Sequence, residues 1–162
     1  RWPASRAPAE NARVASIMAQ RQVLDAVTGT AAIPDGFAAF NVDVARRALL
    51  DKRARELHYA WPILAASLGE HLRPLFAEFA EHRPTRGMRN DGYAFATWLE
   101  ARGDLPLAGA LELAEARLWW VWSDDDTPPQ RRTSRIASAR FPGGRLVRTG
   151  NRVHTIGRPR TS

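Results

Sequence analysis

Side chains that could perform acid–base or metal chemistry are few in this 162-residue chain and widely spaced. Glu112 and Glu115 are three residues apart, so on a helix they would share one face and could act as an acid–base pair if another group opposed them. The sequence supplies no such group, and salt bridges or a solvated face are the alternative interpretation. The histidines do not lie at metal-ligand spacing from one another; they are His58, His71, His82 and His154. We therefore expect no catalytic residues, no metal ligands, no cofactor and no enzymatic activity in this chain.

Several protein classes are excluded by composition. The sequence has no cysteine, which rules out disulfide bonds, thiolate ligands and a cysteine nucleophile. It also lacks a nucleophile elbow and a Gly-rich phosphate loop. No apolar run approaches the roughly 20 residues that span a bilayer. We expect a soluble, cytoplasmic protein without a membrane partner. Because the sequence starts at Arg1, we also expect it to be a trimmed or partial chain.

The positive charge of the chain is concentrated near its C-terminus. The formal net charge is +7, yet residues 1–126 are slightly acidic, and the segment 127–162 has nine arginines and no carboxylate. Such a segment attracts acidic partners, either a peptide or a nucleic acid, and arginine grips carboxylates and phosphates with two parallel hydrogen bonds. The arginines that we predict to contact a partner are Arg135, Arg140, Arg145, Arg148 and Arg152.

Two further groups of residues are candidate binding sites. Trp119, Trp120 and Trp122 form a dense aromatic run, in which helical spacing would place Trp119 and Trp122 on one face. They could pack beneath the C-terminal strands or form part of a partner site. A secondary basic face is predicted on the second helix, where the interleaved acids also allow a merely solvated surface; its members are Arg46, Arg47, Lys52 and Arg53.

Apolar periodicity predicts a bundle of about five to six helices before residue 123. Val14, Ile17, Met18 and Leu24 recur at helical spacing in the first helix. Apolar periodicity and helix-stop residues place the predicted helices at 13–28, 41–59, 63–68, 71–82, from near Tyr93 to Gly103, and 105–122. This part of the chain should therefore form a helical domain with its own core.

Beyond residue 130 the pattern changes to short β-branched segments separated by turns. Phe141-Pro142-Gly143-Gly144 and Thr149-Gly150-Asn151 are hairpin signals, which predict antiparallel strands at 135–140, 145–149 and 152–156. We predict a mainly α, α+β fold: a helical bundle followed by a small antiparallel β-meander that packs on the helices. The predicted boundaries are a flexible arm at 1–9, the helical domain at 10–123, an acidic and Pro-rich linker at 124–130, and a basic β-rich appendage at 131–162.

A spaced set of residues in the helical part resembles a known family. The set is Leu49-Leu50-Asp51-Lys52-Arg53, Pro62-Ile63-Leu64, Leu68-Gly69, Phe76, Phe79, Arg83-Pro84, Asp91-Gly92-Tyr93-Ala94-Phe95, Trp98-Leu99 and Leu113. Across residues 18–122 it is similar to the actinobacterial branch of the HvfC-like proteins, whose helical domain is catalogued as DNA-binding. Members of that family resemble the partner subunits of multinuclear non-haem iron oxidative (MNIO) enzymes, which modify ribosomally made peptides.

The resemblance implies a non-catalytic partner protein in the biosynthesis of such peptides. It would bind an MNIO-type oxidase and help to recruit the precursor peptide, and the iron would belong to the oxidase. An exposed edge of the small sheet could accept an extended peptide as an added strand. Nucleic-acid binding through the Arg-rich C-terminal segment is the alternative.

Overall fold

The computed structural model describes residues 7–27, 39–123 and 127–157. In these ranges the chain forms the helices α1 (Ala7–Val27), α2 (Ala39–Ala60), α3 (Pro62–Leu68), α4 (Leu72–Ala80), α5 (Met88–Arg102) and α6 (Leu107–Trp119). The strands are β1 (Trp120–Val121), β2 (Gln130–Arg131), β3 (Ile136–Phe141), β4 (Gly144–Thr149) and β5 (Arg152–Gly157). The predicted helical bundle followed by an antiparallel β-meander is confirmed. None of the helices in the described ranges combines the length and apolar character that crossing a bilayer requires.

The main core is formed by the five helices from α2 to α6. Each of the five contributes one fully buried side chain, in order Leu57, Leu64, Phe76, Phe95 and Leu113. The rings of Phe76 and Phe95 meet edge to face with centroids 5.3 Å apart, which is a favoured aromatic geometry. The bundle is therefore held together mainly by burial of these apolar side chains.

A second, smaller core joins α6 to the sheet. Ala110, Ala114 and Leu118 of α6 pack with Ala139 and other buried residues of β3 and β4, and Leu113 of the same helix belongs to the main core. The sequence permits this because α6 carries apolar residues on two faces. The helix consequently lies between the two cores and fixes the sheet on the bundle.

The sheet has the order β3-β4-β5 and is antiparallel throughout. Pro142 and Gly143 connect the first pair, and Gly143 has the positive φ of 89° that a type II turn needs. Gly150 and Asn151 connect the second pair, with φ 62° at Gly150, as in a type II′ turn. Separately, β1 pairs with β2 through Trp120–Arg131 and Val121–Gln130.

Several predicted boundaries need correction. Helix α1 begins at Ala7, inside the segment predicted to be a flexible arm, because a proline such as Pro8 is compatible with the first turn of a helix. Helix α6 ends at Trp119 rather than Trp122, because Trp120 is extended (φ −124°, ψ 147°) and starts β1. Gln130 of the predicted linker belongs to β2. The Asp124–Asp126 run and the residues after Gly157 lie outside the described residues.

Candidate functional site

The three tryptophans have different environments because the helix stops before Trp120. Trp119 packs against the second core, whereas Trp122 stacks on Tyr93 with ring centroids 4.2 Å apart and an interplanar angle of 2°. Trp122 also lies 5.8 Å from the ring of Trp61. The prediction that Trp119 and Trp122 share one helical face is therefore wrong. Trp122 is a packing residue of the bundle.

Trp120 lies at an open cleft of about 380 Å³ between the bundle and the β1–β2 pair. The guanidinium of Arg89 lies 5.8 Å from its ring centroid, within cation–π range. Tyr59, which is 84% exposed, and the carboxylate of Glu115 also line the cleft. The cleft therefore offers aromatic surface with one cation, Arg89, and two carboxylates, Glu112 and Glu115, in its lining.

Arg148 is buried and does not lie on the open face of the sheet with the other predicted arginines. Its side chain is only 5% exposed, and its guanidinium lies 4.5 Å from the ring centroid of Trp119. It donates hydrogen bonds to the carbonyl oxygens of Ser134 (2.5 Å) and Gly150 (3.2 Å). Arg148 is two positions from the buried Leu146 on β4, and residues two apart on a strand share a face, so Arg148 points to the α6 side of the sheet. Arg148 thus holds the end of the sheet against α6 instead of lying on the open surface.

The other predicted arginines of the sheet remain accessible. Register places Arg140 directly opposite Arg145, on the sheet face away from α6. Arg152 lies on the same face at the start of β5, and Arg140 and Arg152 are exposed. No Asp or Glu occurs in the described segment 127–157, so this face has no acidic residue of its own segment to neutralise it. Arg135 is exposed too, but it precedes β3 and lines a separate cavity at the end of the sheet.

Strand β5 forms an open edge of the sheet. All six of its residues are exposed, and among the described residues it pairs only with β4. Thr149 and Arg152 flank a two-residue turn, so they form a hydrogen-bonded pair between β4 and β5. Hydrogen-bonded and non-hydrogen-bonded pairs alternate along an antiparallel ladder. The backbone N–H and C=O groups of Val153, Thr155 and Gly157 therefore point away from β4, towards the open edge. Such an edge is a template for pairing with another chain.

The predicted secondary basic face on α2 is not a single surface. Arg46 donates to the Ala26 carbonyl of α1 at 2.8 Å. Arg53 is buried and forms an ion pair with Asp91, with Nε 3.1 Å from Oδ2. Arg47 and Lys52 remain exposed, and Lys52 lies 3.8 Å from Glu56. The four residues therefore divide between structural and solvated roles, and Arg53 must be removed from the set of candidate binding residues.

Glu112 has a structural role that its spacing from Glu115 did not suggest. Its carboxylate accepts the backbone N–H groups of Ile63 (3.3 Å) and Leu64 (2.7 Å), which are free at the start of α3. Burial raises the pKa of Glu112, and these two hydrogen bonds partly offset that rise. Within the described part of the chain, no group of three or more His, Asp or Glu side chains is close enough to hold a metal ion.

Sequence reasoning missed the cleft residues Tyr59, Met88 and Arg89. They come from the end of α2 and the start of α5, so no local motif connects them. The sequence offered one signal, the aromatic Tyr59 at the end of the predicted second helix, and an aromatic residue at a helix end is too common to indicate a site.

Comparison with known proteins identifies the family. A family model described as SCO6045-like, C-terminal domain matches residues 17–101. The chain belongs to the SCO6045-like C-terminal domain family. The matched segment of this SCO6045-like chain runs from α1 into α5, so it includes the Arg53–Asp91 pair and ends before α6 and the sheet.

A curated relative of this SCO6045-like chain is much longer. It is named UPF0276 protein, comes from Streptomyces avermitilis, and is 36% identical over 151 residues. The match covers 90% of this chain but 28% of the relative. The match leaves a tenth of the chain uncovered, which is fewer residues than the segment 127–162 contains. Even if all the uncovered residues lay at the C-terminus, the match would extend into the sheet region. No solved structure matches the chain.

Proposed function

We propose that this chain is a non-catalytic partner that binds an MNIO-type oxidase and recruits its ribosomally made precursor peptide. In this proposal the peptide adds as a strand to the open edge of β5. The oxidase carries the iron and performs the chemistry. The chain supplies the binding surface that holds the peptide near the enzyme.

The open edge of β5 is the observation that carries this proposal. Val153, Thr155 and Gly157 direct unpaired backbone groups outward, and an extended peptide can satisfy them as an additional antiparallel or parallel strand. Val153 and Ile156 are 39% and 61% exposed, so a bound peptide would also cover apolar surface on both faces of the strand.

The charge of the sheet supports an acidic peptide as the ligand. Arg140, Arg145 and Arg152 share the outer face, and their segment has no carboxylate in the described range 127–157. Complementary charge of this kind raises association rates and fixes register more than it raises affinity. The arginines would therefore guide the peptide, while backbone pairing along β5 would retain it.

The length of the curated relative supports a role beside a larger protein. In the Streptomyces avermitilis protein, more than two thirds of the polypeptide lies outside the match. In that relative, the segment similar to this chain is therefore part of the same polypeptide as a larger, unmatched region. Joining of this kind keeps two parts at high effective concentration, which favours a cooperative function.

The proposal is tested by purifying the chain with its partners from its native cells. Mass spectrometry should identify an oxidase and a peptide, and metal analysis should find iron in the complex and none in the chain alone. The recovered peptide, labelled with a fluorophore, then serves as the probe for Thr155→Pro, which removes an outward N–H, and for Thr155→Ala, which retains it. We expect the proline variant to lose about tenfold or more in affinity, since several edge hydrogen bonds depend on strand pairing, and the alanine variant to bind normally.

Equal peptide binding by the two Thr155 variants would refute the role of the β5 edge. Nucleic-acid binding makes a different prediction from the same arginines. A duplex contacted at six phosphates would lose affinity with salt at a log–log slope of about −5. Such a slope for DNA, with no peptide or oxidase in the native complex, would replace the proposal with the nucleic-acid alternative.

A further inference from the structure

A cavity of about 320 Å³ lies at the end of the sheet, beside the turn between β4 and β5. Three arginines line it, Arg131, Arg135 and Arg148, and none of its lining residues is acidic. Trp119 forms part of the wall, with the guanidinium groups of Arg148 and Arg131 at 4.5 Å and 5.8 Å from its ring centroid. The cavity thus has two guanidinium groups beside one aromatic ring and a third arginine, Arg135, in its lining.

Arg148 is the decisive residue because its charge is buried. It is 5% exposed, its two hydrogen bonds go to neutral carbonyl groups, and its buried Nε has no hydrogen-bond partner among the described residues. A buried cation without an anionic partner is costly, and an anion that enters the cavity would offset that cost. Because Arg148 lines an open cavity whose lining has no acidic residue, the arrangement points to an anionic ligand.

We propose that this cavity binds a carboxylate group, supplied by an acidic side chain or the terminal carboxylate of the recruited peptide. This assignment deepens the proposed function and rests on it for the identity of the ligand. The hydroxyl of Thr133 and the amide of Asn151 add neutral donors to the guanidinium groups. Guanidinium matches the planar geometry of a carboxylate with two parallel hydrogen bonds.

The position of the cavity favours a peptide over a nucleic acid as the source of the anion. Asn151 lines the cavity, and β5 begins at the next residue, Arg152. A strand paired with β5 would therefore have one end at the cavity. For an antiparallel added strand this is the C-terminal end, and for a parallel strand it is the N-terminal end. The proposed ligand is an acidic group at that end of the bound segment.

The test uses sodium acetate and the whole chain, so it does not require the natural peptide. In nuclear magnetic resonance spectra of the arginine Nε–H groups, acetate should shift the signals of Arg148 and Arg135 saturably, while sodium chloride at equal ionic strength should not. Arg135→Ala should weaken acetate binding about tenfold or more, because it removes a charge-assisted donor. Arg140→Ala is the matched control, since it removes the same charge from the opposite face of the sheet and should leave acetate binding unchanged.

Equal weakening by the two alanine variants, or shifts that never saturate, would overturn the carboxylate site. Saturation by inorganic phosphate but not by acetate would also overturn it and would favour a phosphate ligand. The outcome is independent of the Thr155 test. Acetate binding can persist when the β5 edge fails to bind peptide, and the edge can bind peptide when the cavity fails to bind acetate.

Discussion

Replacement of Asp91 by alanine should destabilise the fold more than removal of an exposed carboxylate. The Oδ2 atom of Asp91 accepts hydrogen bonds from Arg53 Nε (3.1 Å) and Thr85 Oγ1 (3.0 Å), and Oδ1 accepts the backbone N–H of Arg86 (2.9 Å). Both members of the ion pair are buried, with 4% of Arg53 and 5% of Asp91 exposed. The substitution leaves the Arg53 cation buried with one protein acceptor from this network, the carbonyl of Arg83 at 3.0 Å.

The expected cost follows from that uncompensated charge. Breaking a buried pair by removing one partner costs about 3–5 kcal/mol in the free energy of unfolding. For a chain of this length, in which Tm changes by about 2–4 °C per kcal/mol, the same loss lowers Tm by about 6–20 °C. The double variant Arg53→Met/Asp91→Ala should cost less than the sum of its single changes, because it leaves no unpaired charge.

Urea unfolding monitored by circular dichroism measures these differences. Asp104→Ala is the matched control, because Asp104 is 46% exposed and pairs with Arg102 Nε at 2.9 Å. An exposed pair of this kind contributes about 1 kcal/mol or less. If Asp91→Ala costs no more than Asp104→Ala, or if the two changes at Arg53 and Asp91 are simply additive, the buried pair does not have the role described.

Two further substitutions test packing and titration in the bundle. Gly92→Ala should cost about 1–3 kcal/mol in the free energy of unfolding, because the added Cβ would overlap the indole of Trp61, whereas Ala at the exposed Glu115 should change it little. Glu112→Gln tests the raised pKa of Glu112. A carboxyl whose pKa is higher in the folded state binds its proton more tightly there, so the wild type should gain stability relative to this variant as the pH falls from neutral towards 4.5. A stability difference that is independent of pH in urea titrations would contradict this assignment.

The strands of the meander could be predicted closely because their limits are local. Two-residue turns at Pro142-Gly143 and Gly150-Asn151 fix both hairpins, and β-branched residues occur in each of the three strands. The alternation along β4 also contained a signal for Arg148, since a residue two positions from Leu146 lies on the same face of the strand. The charge of Arg148 predicted a surface position, whereas the two-residue period of β4 predicted the buried face that it occupies.

The partners of buried charges could not be predicted, because they are distant in the sequence. Arg53 and Asp91 are 38 positions apart, and Glu112 reaches Leu64 across 48 positions. Helical periodicity identifies the helix on which each residue lies but not the side chain that faces it from another helix. The end of α6 was missed for a related reason. Trp120 leaves the helix to pair with Arg131, and no Gly or Pro marks the change.

The position of α6 between two cores has a consequence for how this family is divided into modules. The family match ends at residue 101, before the helix whose Leu113 completes the bundle core and whose Leu118 completes the core under the sheet. A segment cut at that boundary would expose apolar surface that α6 normally covers. The smallest transferable unit of this fold therefore includes α6, and because α6 also packs under the sheet, it includes the sheet as well. The sheet with its open β5 edge should not fold when it is transferred without the bundle.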